Sequence, residues 1–369
     1  MKVGVLTSSR ADFGIYEALI DKLISDNSFE LELIVFGTHL SKFHGFTINN
    51  IKEKYKVKIK QISSLLINDN EVSSATSYGL TVLKFADFWD SNTYDLVFCL
   101  GDRFEMSAAV QTGISFGVKF AHLHGGETTL GATDNIYRHQ ITLVSYLHFT
   151  STDIYKRKVE NLTGFKENIF NVGSLSLSEF NDFSPVYKED LFSSFNIKAA
   201  PFCLITFHPE TNAFHENHKY AKEMKKALEV ISDQINLVIT MPNADTMGTV
   251  YRDQLILLSI EKKEQVVLVE NFGKRNYFSA MYYAKFLLGN TSSGIIEAAS
   301  FKKYVVNVGD RQKGRAQSSN IIDSEFNSTD IIKSVRKCIK LGEYLGENIY
   351  FKANSADTIV KIVKEYENI

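Results

Sequence analysis

Acidic, basic and imidazole side chains cluster where two apolar runs of this sequence end. The first run, residues 94–100, has the length of a strand and is followed by Gly101-Asp102-Arg103-Phe104-Glu105. The second, residues 118–121, is followed by His122-Leu123-His124-Gly125-Gly126-Glu127, and Asp134-Asn135-Ile136-Tyr137-Arg138-His139 comes soon afterwards at a predicted helix start. Carboxylate and imidazole groups at neighbouring strand ends can accept and deliver protons, and open parallel sheets bind ligands at that edge.

Each of these residues also has an ordinary structural explanation. An Asp after a strand can cap a helix, and a pair of glycines can form a turn. The cluster as a whole is harder to explain by packing, because several acids at adjacent strand ends repel one another unless a ligand or a shared proton balances them. The sequence therefore predicts a site here.

A second group of polar residues follows strand-like runs in the other half of the chain. Residues 202–206 lead into Phe207-His208-Pro209-Glu210-Thr211, and residues 236–240 into Met241-Pro242-Asn243-Ala244-Asp245. Residues 286–288 lead into Gly289-Asn290-Thr291-Ser292-Ser293-Gly294, where backbone N–H groups at a helix start can bind diphosphate and Glu297 can accept from two ribose hydroxyls. Helix capping explains this segment equally well when it is taken alone.

Three cations on a glycine-flanked loop favour phosphate binding in this half. They are Arg311, Lys313 and Arg315, within Asn307-Val308-Gly309-Asp310-Arg311-Gln312-Lys313-Gly314-Arg315. The first strand–helix junction, residues 7–14, lacks the G-x-G-x-x-G pattern, which argues against a dinucleotide cofactor. Its hydroxyl residues followed by Arg10 still suit a phosphate or a sugar.

Length and composition indicate an ordinary globular protein with two domains. The chain has 369 residues, 44% of them hydrophobic and 23% charged, with a net charge of −2 that gives no reason to expect nucleic acid. The apolar start is too short for a signal peptide, and no run reaches membrane-spanning length. The three cysteines, Cys99, Cys203 and Cys338, have no paired spacing and are predicted to be core residues of a cytosolic protein.

Strand-like runs alternate with helix-length segments, which is typical of parallel sheets covered by helices. An irregular stretch from Gly173 to Pro201 separates two such series, and the domain linker is placed near its start. The lysine-rich run before residue 62 is interpreted as a solvated face, and the polar segment 62–77 as a possible mobile lid. The predicted strands are 2–7, 31–36, 94–100, 118–121, 147–150, 202–206, 236–240, 266–269, 285–288 and 304–308.

Eight motifs in order resemble the hydrolysing UDP-N-acetylglucosamine 2-epimerases of sialic acid synthesis, most closely the bacterial NeuC type used for sialylated capsules. The motifs span nearly the whole chain: S-R-A-D, G-D-R-F-E, H-L-H-G-G-E, D-N-I-Y-R-H, F-H-P-E-T, N-A-D, G-N-T-S-S-G-I-I-E and G-D-R-Q-K-G-R. The resemblance implies an α/β fold with two Rossmann-like domains whose parallel sheets face across a cleft (GT-B type). The implied domains are residues 1–174, with a helix at 353–369 crossing back to them, and a UDP-binding domain at 175–352.

The resemblance also implies roles for individual residues. The implied acid/base groups around the sugar are Asp102, Glu127, Asp134 and His124, although animal relatives carry Glu where this chain has His124. Arg10 is implied to reach the diphosphate. The other implied contacts to UDP or the sugar are Arg103, Arg138, His208, Asn243, Thr291, Ser292, Ser293, Gly294, Glu297, Arg311 and Arg315.

The implied reaction converts UDP-N-acetylglucosamine to N-acetylmannosamine and UDP through 2-acetamidoglucal. It needs no cofactor and no protein-bound metal, although a hydrated Mg²⁺ could accompany the diphosphate. The resemblance implies a nucleotide sugar as the binding partner, and neither nucleic acid nor a membrane. It also implies a cytoplasmic protein that forms a homodimer or a homotetramer.

Several alternatives remain open from the sequence. A non-hydrolysing 2-epimerase would keep UDP attached, but that family usually has a small hydroxyl residue where this chain has Arg103. A GT-B glycosyltransferase would use the same UDP site with an acceptor, and an inactive nucleotide-sugar sensor would not need the three carboxylates. Related bacterial enzymes act on UDP-linked 2,4-diacetamido-6-deoxy sugars for legionaminic acid and share the UDP motifs, so the sequence favours but does not decide for UDP-N-acetylglucosamine.

Overall fold

The chain folds into two compact α/β units. The computed structural model describes residues 1–43, 45–66, 71–130, 134–210, 213–242 and 247–366. Unit 1 comprises Met1–Glu127, Asp134–Asn181 and Tyr350–Ile369, whereas unit 2 comprises Thr128–Thr133 and Asp182–Ile349.

Unit 1 is built on a seven-stranded sheet in which all neighbouring strands are parallel. Its strand order is β3-β2-β1-β4-β5-β6-β7. Every residue of the central strands β4, β5 and β6 is buried, as expected for a parallel sheet covered by helices on both faces. The strands are β1 (Lys2–Thr7), β2 (Glu30–Phe36), β3 (Lys58–Ile62), β4 (Leu96–Leu100), β5 (Phe120–Leu123), β6 (Leu147–Thr150) and β7 (Ile169–Asn171).

Seven helices belong to unit 1 within the described residues. They are α1 (Arg10–Ser25), α2 (Ile48–Lys54), α3 (Glu71–Ser91), α4 (Phe104–Gly113), α5 (Asp134–Val144), α6 (Asp153–Thr163) and α13 (Ser355–Tyr366). The last of these, α13, joins the core of unit 1 through the buried side chains of Ile359 and Val363. Its Asp357 pairs with Lys22 of α1 at 2.7 Å. The carboxyl-terminal end of the chain is therefore part of unit 1.

Unit 2 repeats the architecture with a six-stranded parallel sheet. Its order is β10-β9-β8-β11-β12-β13. The strands are β8 (Phe202–Thr206), β9 (Asn236–Thr240), β10 (Val266–Val269), β11 (Leu287–Gly289), β12 (Val305–Val308) and β13 (Ile321–Ser324). The helices are α7 (Lys188–Ser194), α8 (Asn217–Ser232), α9 (Gly248–Glu261), α10 (Gly273–Tyr283), α11 (Ser292–Ile296) and α12 (Ser328–Lys340).

Both strand orders reverse direction next to the first strand of the unit. In unit 1 the reversal lies between β1 and β4, and in unit 2 it lies between β8 and β11. At such a point the connections on either side run to opposite faces, which leaves a crevice beyond the carboxyl ends of the two strands. Gly289 at the end of β11 has φ +143°, and a Cβ there would overlap the Thr206 carbonyl oxygen of β8. This close approach of two strand ends requires glycine.

The predicted α/β class with two parallel sheets is confirmed, whereas the strand inventory was incomplete. Three strands were not predicted: β3, which falls within the lysine-rich run interpreted as a solvated face, together with β7 and β13. Two predicted strands, 118–121 and 285–288, lie about two residues before the observed β5 and β11. The segment interpreted as a lid becomes helix α3 from Glu71 onward, and residues 67–70 lie outside the described residues.

Candidate active site

The ends of β4 and β5 bring the predicted acid/base residues of unit 1 together. Leu100 pairs with Leu123 in the parallel register, so the loops that carry Asp102 and His124 leave the sheet side by side. Asp134 begins α5, and the next turn of the same helix carries Arg138. Sequence reasoning predicted this convergence because carboxyl ends of adjacent parallel strands share one edge.

Arg138 is the cation that balances the acids of this cluster. It is only 2% exposed, and its Nη2 pairs with Asp102 Oδ2. Its Nη1 lies 3.5 Å from Glu127 Oε2. A buried guanidinium between two carboxylates removes the repulsion that the sequence had left unexplained. Arg138, predicted as a substrate contact, thus pairs with two of the predicted acid/base carboxylates.

His124 is oriented by Glu127. Its Nδ1 lies 2.7 Å from Glu127 Oε1, and Ser151 Oγ donates to the same oxygen at 2.9 Å. Because an ionised carboxylate only accepts hydrogen bonds, Nδ1 carries the proton of a neutral His124 and Nε2 keeps its lone pair. Nε2 has no hydrogen-bond partner among the described residues. The backbone of His124 is in the left-handed region, at φ +63°, a conformation often found at functional sites.

His122, the other histidine of the H-L-H motif, has a structural position. It is fully buried, with Nε2 3.0 Å from the Gly101 carbonyl oxygen and Nδ1 3.1 Å from Thr142 Oγ1. Burial lowers the pKa of His122 to about 3, so it is neutral near pH 7 and Nε2–H donates to Gly101. It therefore fixes the loop immediately before Asp102.

Buried neutral histidines should make the protein sensitive to acid. Burial lowers the pKa of His122 to about 3 and that of His148 to about 4, from 6.5. Below pH 6.5 the unfolded chain binds these protons and the folded chain does not, so stability rises with pH in this window and is lost as pH falls. Each histidine should contribute a loss of about 1.2 kcal/mol between pH 6 and pH 5. Urea unfolding at both pH values should show the loss, and equal stability would contradict this.

The guanidinium of Arg103 pairs with Glu105, two residues further along the chain. Its Nε and Nη2 donate to the two carboxylate oxygens of Glu105 at 3.2 and 3.0 Å, and Glu105 is 1% exposed. Glu105 raises the pKa of Arg103, and the charges of Asp12 and Asp134 act in the same direction. Arg103 therefore lies near the acid/base cluster with its guanidinium fork held by Glu105, and about two-fifths of its side chain remains exposed.

The first strand–helix junction uses its hydroxyl groups internally. Asp12 Oδ2 accepts from the backbone N–H groups of Ser8 and Ser9, both at 3.0 Å, and from Ser8 Oγ at 2.8 Å. Ser9 and Asp12 form a capping box at the start of α1. These groups are thus taken by Asp12, whereas Arg10 is exposed at the first position of the helix. Within this junction the side chain of Arg10 is therefore exposed, whereas the serine hydroxyls are bonded to Asp12.

In unit 2, Asn290 joins the ends of β8 and β11. Its Oδ1 accepts from His208 N at 2.7 Å, and its Nδ2 donates to the His208 carbonyl oxygen at 2.8 Å. The Asn290 carbonyl oxygen accepts from Arg311 Nη1 at 3.0 Å and from Gln312 Nε2 at 2.9 Å. Burial and then Arg311 lower the pKa of His208 to about 3, so this imidazole is neutral next to the guanidinium.

The predicted phosphate cradle lies at the end of β11, but its helix is short. Thr291 caps α11 by accepting from Ser293 N at 3.4 Å, and the helix ends at Ile296 with Glu297 as its C-cap. A helix of five residues adds little dipole, so an anion here would be held by N–H groups and by Arg311. Ser292, Gly294 and Arg315 lie in the same segment and the neighbouring loop, and Asn243 lies outside the described residues.

Sequence reasoning missed residues that hold this site together. Asn290 and Gln312 link three loops, and Glu210 binds the backbone of the loop that carries Arg311. All three are buried. In the sequence, each of these three is only a polar residue inside a motif, and the motif does not indicate which residue it bonds to.

Neither a metal cluster nor a membrane helix is found in the described part of the chain. No group of three or more His, Cys, Asp or Glu side chains is arranged to hold a metal ion in those ranges. No described helix combines the length and apolar character needed to cross a bilayer.

Comparison with known proteins gives a family match and several relatives that cover most of the chain. The pattern of the UDP-N-acetylglucosamine 2-epimerase family matches residues 21–364. A GDP/UDP-N,N'-diacetylbacillosamine 2-epimerase (hydrolyzing) from Campylobacter jejuni is 35% identical over 330 residues, covering 89% of this chain and 85% of that protein. The polysialic acid biosynthesis protein P7 of Escherichia coli is 30% identical over 370 residues, covering 99% of this chain and 94% of that protein.

Solved structures share the fold over the whole chain. The UDP-GlcNAc 2-epimerase of Neisseria meningitidis bound to UDP-GlcNAc superposes with a TM-score of 0.80, at 16% identity and covering 99% of this chain and 100% of that chain. A complex of Staphylococcus aureus MnaA with UDP gives 0.81, at 15% identity and covering 100% and 97%. At these identities the likeness shows the fold alone.

Proposed function

Because this chain belongs to the UDP-N-acetylglucosamine 2-epimerase family, we propose that it is a hydrolysing 2-epimerase that converts UDP-N-acetylglucosamine to N-acetylmannosamine and UDP. The family assignment establishes a UDP-sugar 2-epimerase. The hydrolysing reaction is supported by the name of the Campylobacter relative. It is also supported by a UDP-N,N'-diacetylbacillosamine 2-epimerase (hydrolyzing) from Legionella pneumophila, which is 29% identical over 369 residues. The observation that carries the proposal is the set of Asp102, His124 and Glu127 held around the buried Arg138.

The proposed reaction has two steps. In the first, a base takes the proton from C2 of the sugar while the C1–O bond breaks and its electron pair leaves with the β-phosphate of UDP, giving 2-acetamidoglucal. In the second, water adds its hydroxyl to C1 and a proton returns to C2 from the opposite face. The chemistry thus needs a base near C2, stabilisation of the leaving diphosphate, and a second group to supply the proton.

We assign the C2 base to His124. Its Nδ1–H is held by Glu127, so Nε2 has the lone pair that can accept a proton. Glu127 itself accepts from His124 and Ser151 and lies beside Arg138, which makes it an orienting group that stabilises the imidazolium. Asp102, paired with Arg138, and Asp134 at the start of α5 are the candidates for the acid that returns the proton.

The nucleotide is assigned to unit 2. Neutral His208 beside Arg311 and the capped turn from Thr291 to Gly294 provide neutral and cationic groups for a diphosphate, and Glu297 provides an acceptor for ribose hydroxyls. Arg311 would stabilise the charge that develops on the leaving diphosphate. The proposed nucleotide contacts in this unit are the predicted ones: His208, Asn243, Thr291, Ser292, Ser293, Gly294, Glu297, Arg311 and Arg315. In unit 1, the roles of Arg10 and Arg103 stay predictions.

A second candidate substrate is a UDP-linked 2,4-diacetamido-2,4,6-trideoxy sugar. The names of the Campylobacter and Legionella relatives favour it, at 35% and 29% identity, whereas the Escherichia coli protein linked by name to polysialic acid is 30% identical. A site that hydrogen-bonds the 4- and 6-hydroxyls discriminates strongly against a sugar lacking them. Comparison of kcat/KM for the two nucleotide sugars decides: a clear preference for the diacetamido sugar replaces the first substrate and leaves the reaction unchanged.

A non-hydrolysing 2-epimerase is the main alternative reaction, because structures of UDP-GlcNAc 2-epimerases share the fold. Incubation with UDP-N-acetylglucosamine alone separates the two. Free UDP together with N-acetylmannosamine supports the proposal, and UDP-N-acetylmannosamine contradicts it. We further propose that the enzyme works in the cytoplasm, where nucleotide sugars are made and used, and that it forms a homodimer or a homotetramer.

Arg311→Ala should weaken UDP binding by about 1.5 to 3 kcal/mol, the scale of a hydrogen bond to a charged group. Its guanidinium lies beside His208 and the β11 turn, where the diphosphate is proposed to bind. Calorimetric titration with UDP measures the change. The control is Lys219→Ala, which removes an exposed cation of α8 that pairs with Glu216. Unchanged UDP affinity in the Arg311 variant would remove this residue from the site.

A further inference from the structure

Glu210 is a buried carboxylate that the proposed reaction does not use. It follows β8 in the F-H-P-E-T motif and is only 5% exposed. A buried carboxylate is costly unless hydrogen bonds compensate for the lost hydration, so its partners indicate why it is there. Burial raises the pKa of Glu210, and the backbone N–H groups of Asp310 and Arg311 oppose that rise.

The partners of Glu210 are the backbone of the loop that carries Arg311. Glu210 Oε1 accepts from Asp310 N at 2.8 Å and from Arg311 N at 3.2 Å. Gly309, directly before them, has φ +75°, and a Cβ on it would overlap the same carboxylate oxygen and lie 2.8 Å from Phe326 Cδ2. The carboxylate and the glycine therefore fit each other closely.

The backbone of Glu210 is held in turn by a buried hydrogen-bond network. Its N–H donates to Asn217 Oδ1 at 3.0 Å, and Asn217 Nδ2 donates to the Glu210 carbonyl oxygen at 3.0 Å. Tyr251 OH donates to the same Asn217 oxygen at 3.1 Å. Asn217 and Tyr251 are at most 1% exposed. A carboxylate on such a support holds the loop in one conformation.

The loop conformation determines where Arg311 points. Glu210 accepts from the backbone N–H of Arg311, and Nη1 of the same residue donates to the Asn290 carbonyl oxygen at 3.0 Å. Asn290 is in turn tied to the backbone of His208, two residues before Glu210. Hydrogen bonds thus connect three segments, the one with His208 and Glu210, the one with Asn290, and the loop with Arg311. Glu210 binds the backbone of that last loop.

We propose that Glu210 is a positioning residue for nucleotide binding, which acts by presenting the Arg311 guanidinium to the diphosphate. The inference rests on the proposed function of this unit. In this proposal Glu210 itself does not contact the substrate. A carboxylate that served folding alone would affect stability without any energetic coupling to Arg311.

The test compares UDP affinity in variants of Glu210 by calorimetry. Glu210→Ala should raise the Kd for UDP at least about tenfold, or about 1.4 kcal/mol, and raise KM more than it lowers kcat. Glu210→Gln keeps an acceptor oxygen at the position of Oε1 and should bind UDP within about threefold of wild type. Asp310→Ala, which removes an exposed carboxylate of the same loop, is the matched control.

A double-mutant cycle distinguishes positioning from general support. If Glu210 acts through Arg311, then Arg311→Ala should cost much less UDP affinity in the Glu210→Ala background than in wild type. Additive losses, or unchanged affinity in folded Glu210→Ala, would overturn the proposal. Should Glu210→Ala fail to fold, Glu210→Asp shortens the side chain by one methylene and takes its place in the cycle. Wild type that fails to bind UDP would instead refute the proposed function.

Discussion

Asp102→Asn should lower kcat by about 10²-fold or more while UDP affinity is largely kept. Asp102 follows β4, and its carboxylate pairs with the buried guanidinium of Arg138. An amide has nearly the same shape but cannot carry the proton or balance the cation. Because the nucleotide is assigned to unit 2, loss of this charge should affect turnover and not the binding of UDP.

The measurement is steady-state release of UDP together with calorimetry on the same preparation. Asp90→Asn is a suitable control, since Asp90 is an exposed acid on α3 and its replacement should leave both quantities unchanged. Asp134→Asn is expected to behave like Asp102→Asn. Full activity in either variant would refute the role of that carboxylate.

His124→Gln should cause a loss of about 10²-fold to 10⁴-fold in kcat, the range for removal of a general base. The oriented lone pair on Nε2 depends on the hydrogen bond between Nδ1 and Glu127. Glu127→Gln should also be severe, because an amide that donates to Nδ1 would select the wrong tautomer. The double variant should be little worse than either single one, since the two residues act as a unit.

His215→Gln provides the control for this pair, because His215 is an exposed histidine in unit 2. Its activity should match wild type. Independent, multiplicative losses for His124 and Glu127 would show that they serve different steps, and a fully active His124→Gln would assign the base to another group.

The fold could be predicted from the sequence where strands are buried and apolar. All five residues of β4 and of β8 are buried, and such runs stand out between polar segments. The strand Lys58–Ile62 was missed because it lies at the edge of its sheet and three of its five residues are polar. Strands β7 and β13 are also edge strands, and each has a single buried residue, so neither forms a buried apolar run.

The candidate site could be predicted only as far as the motifs define it. Adjacent strand ends predicted that Asp102, His124 and Glu127 would be close, since this depends on sheet order. The partners of Arg138 and Glu210 could not be predicted, because each bonds to residues far away in the sequence. The hydroxyl groups before Arg10 suited a phosphate by type, yet Asp12 uses them to cap α1.

The most direct test of the central claim is the reaction of the purified protein with UDP-N-acetylglucosamine in D₂O, followed by NMR and mass spectrometry. Elimination and hydration at C2 predict free UDP and N-acetylmannosamine that carries one solvent deuterium at C2. The bridging oxygen should remain on UDP, because the C1–O bond is the one that breaks. Release of UDP with a sugar that keeps its original C2 hydrogen, or formation of UDP-N-acetylmannosamine, would contradict the account.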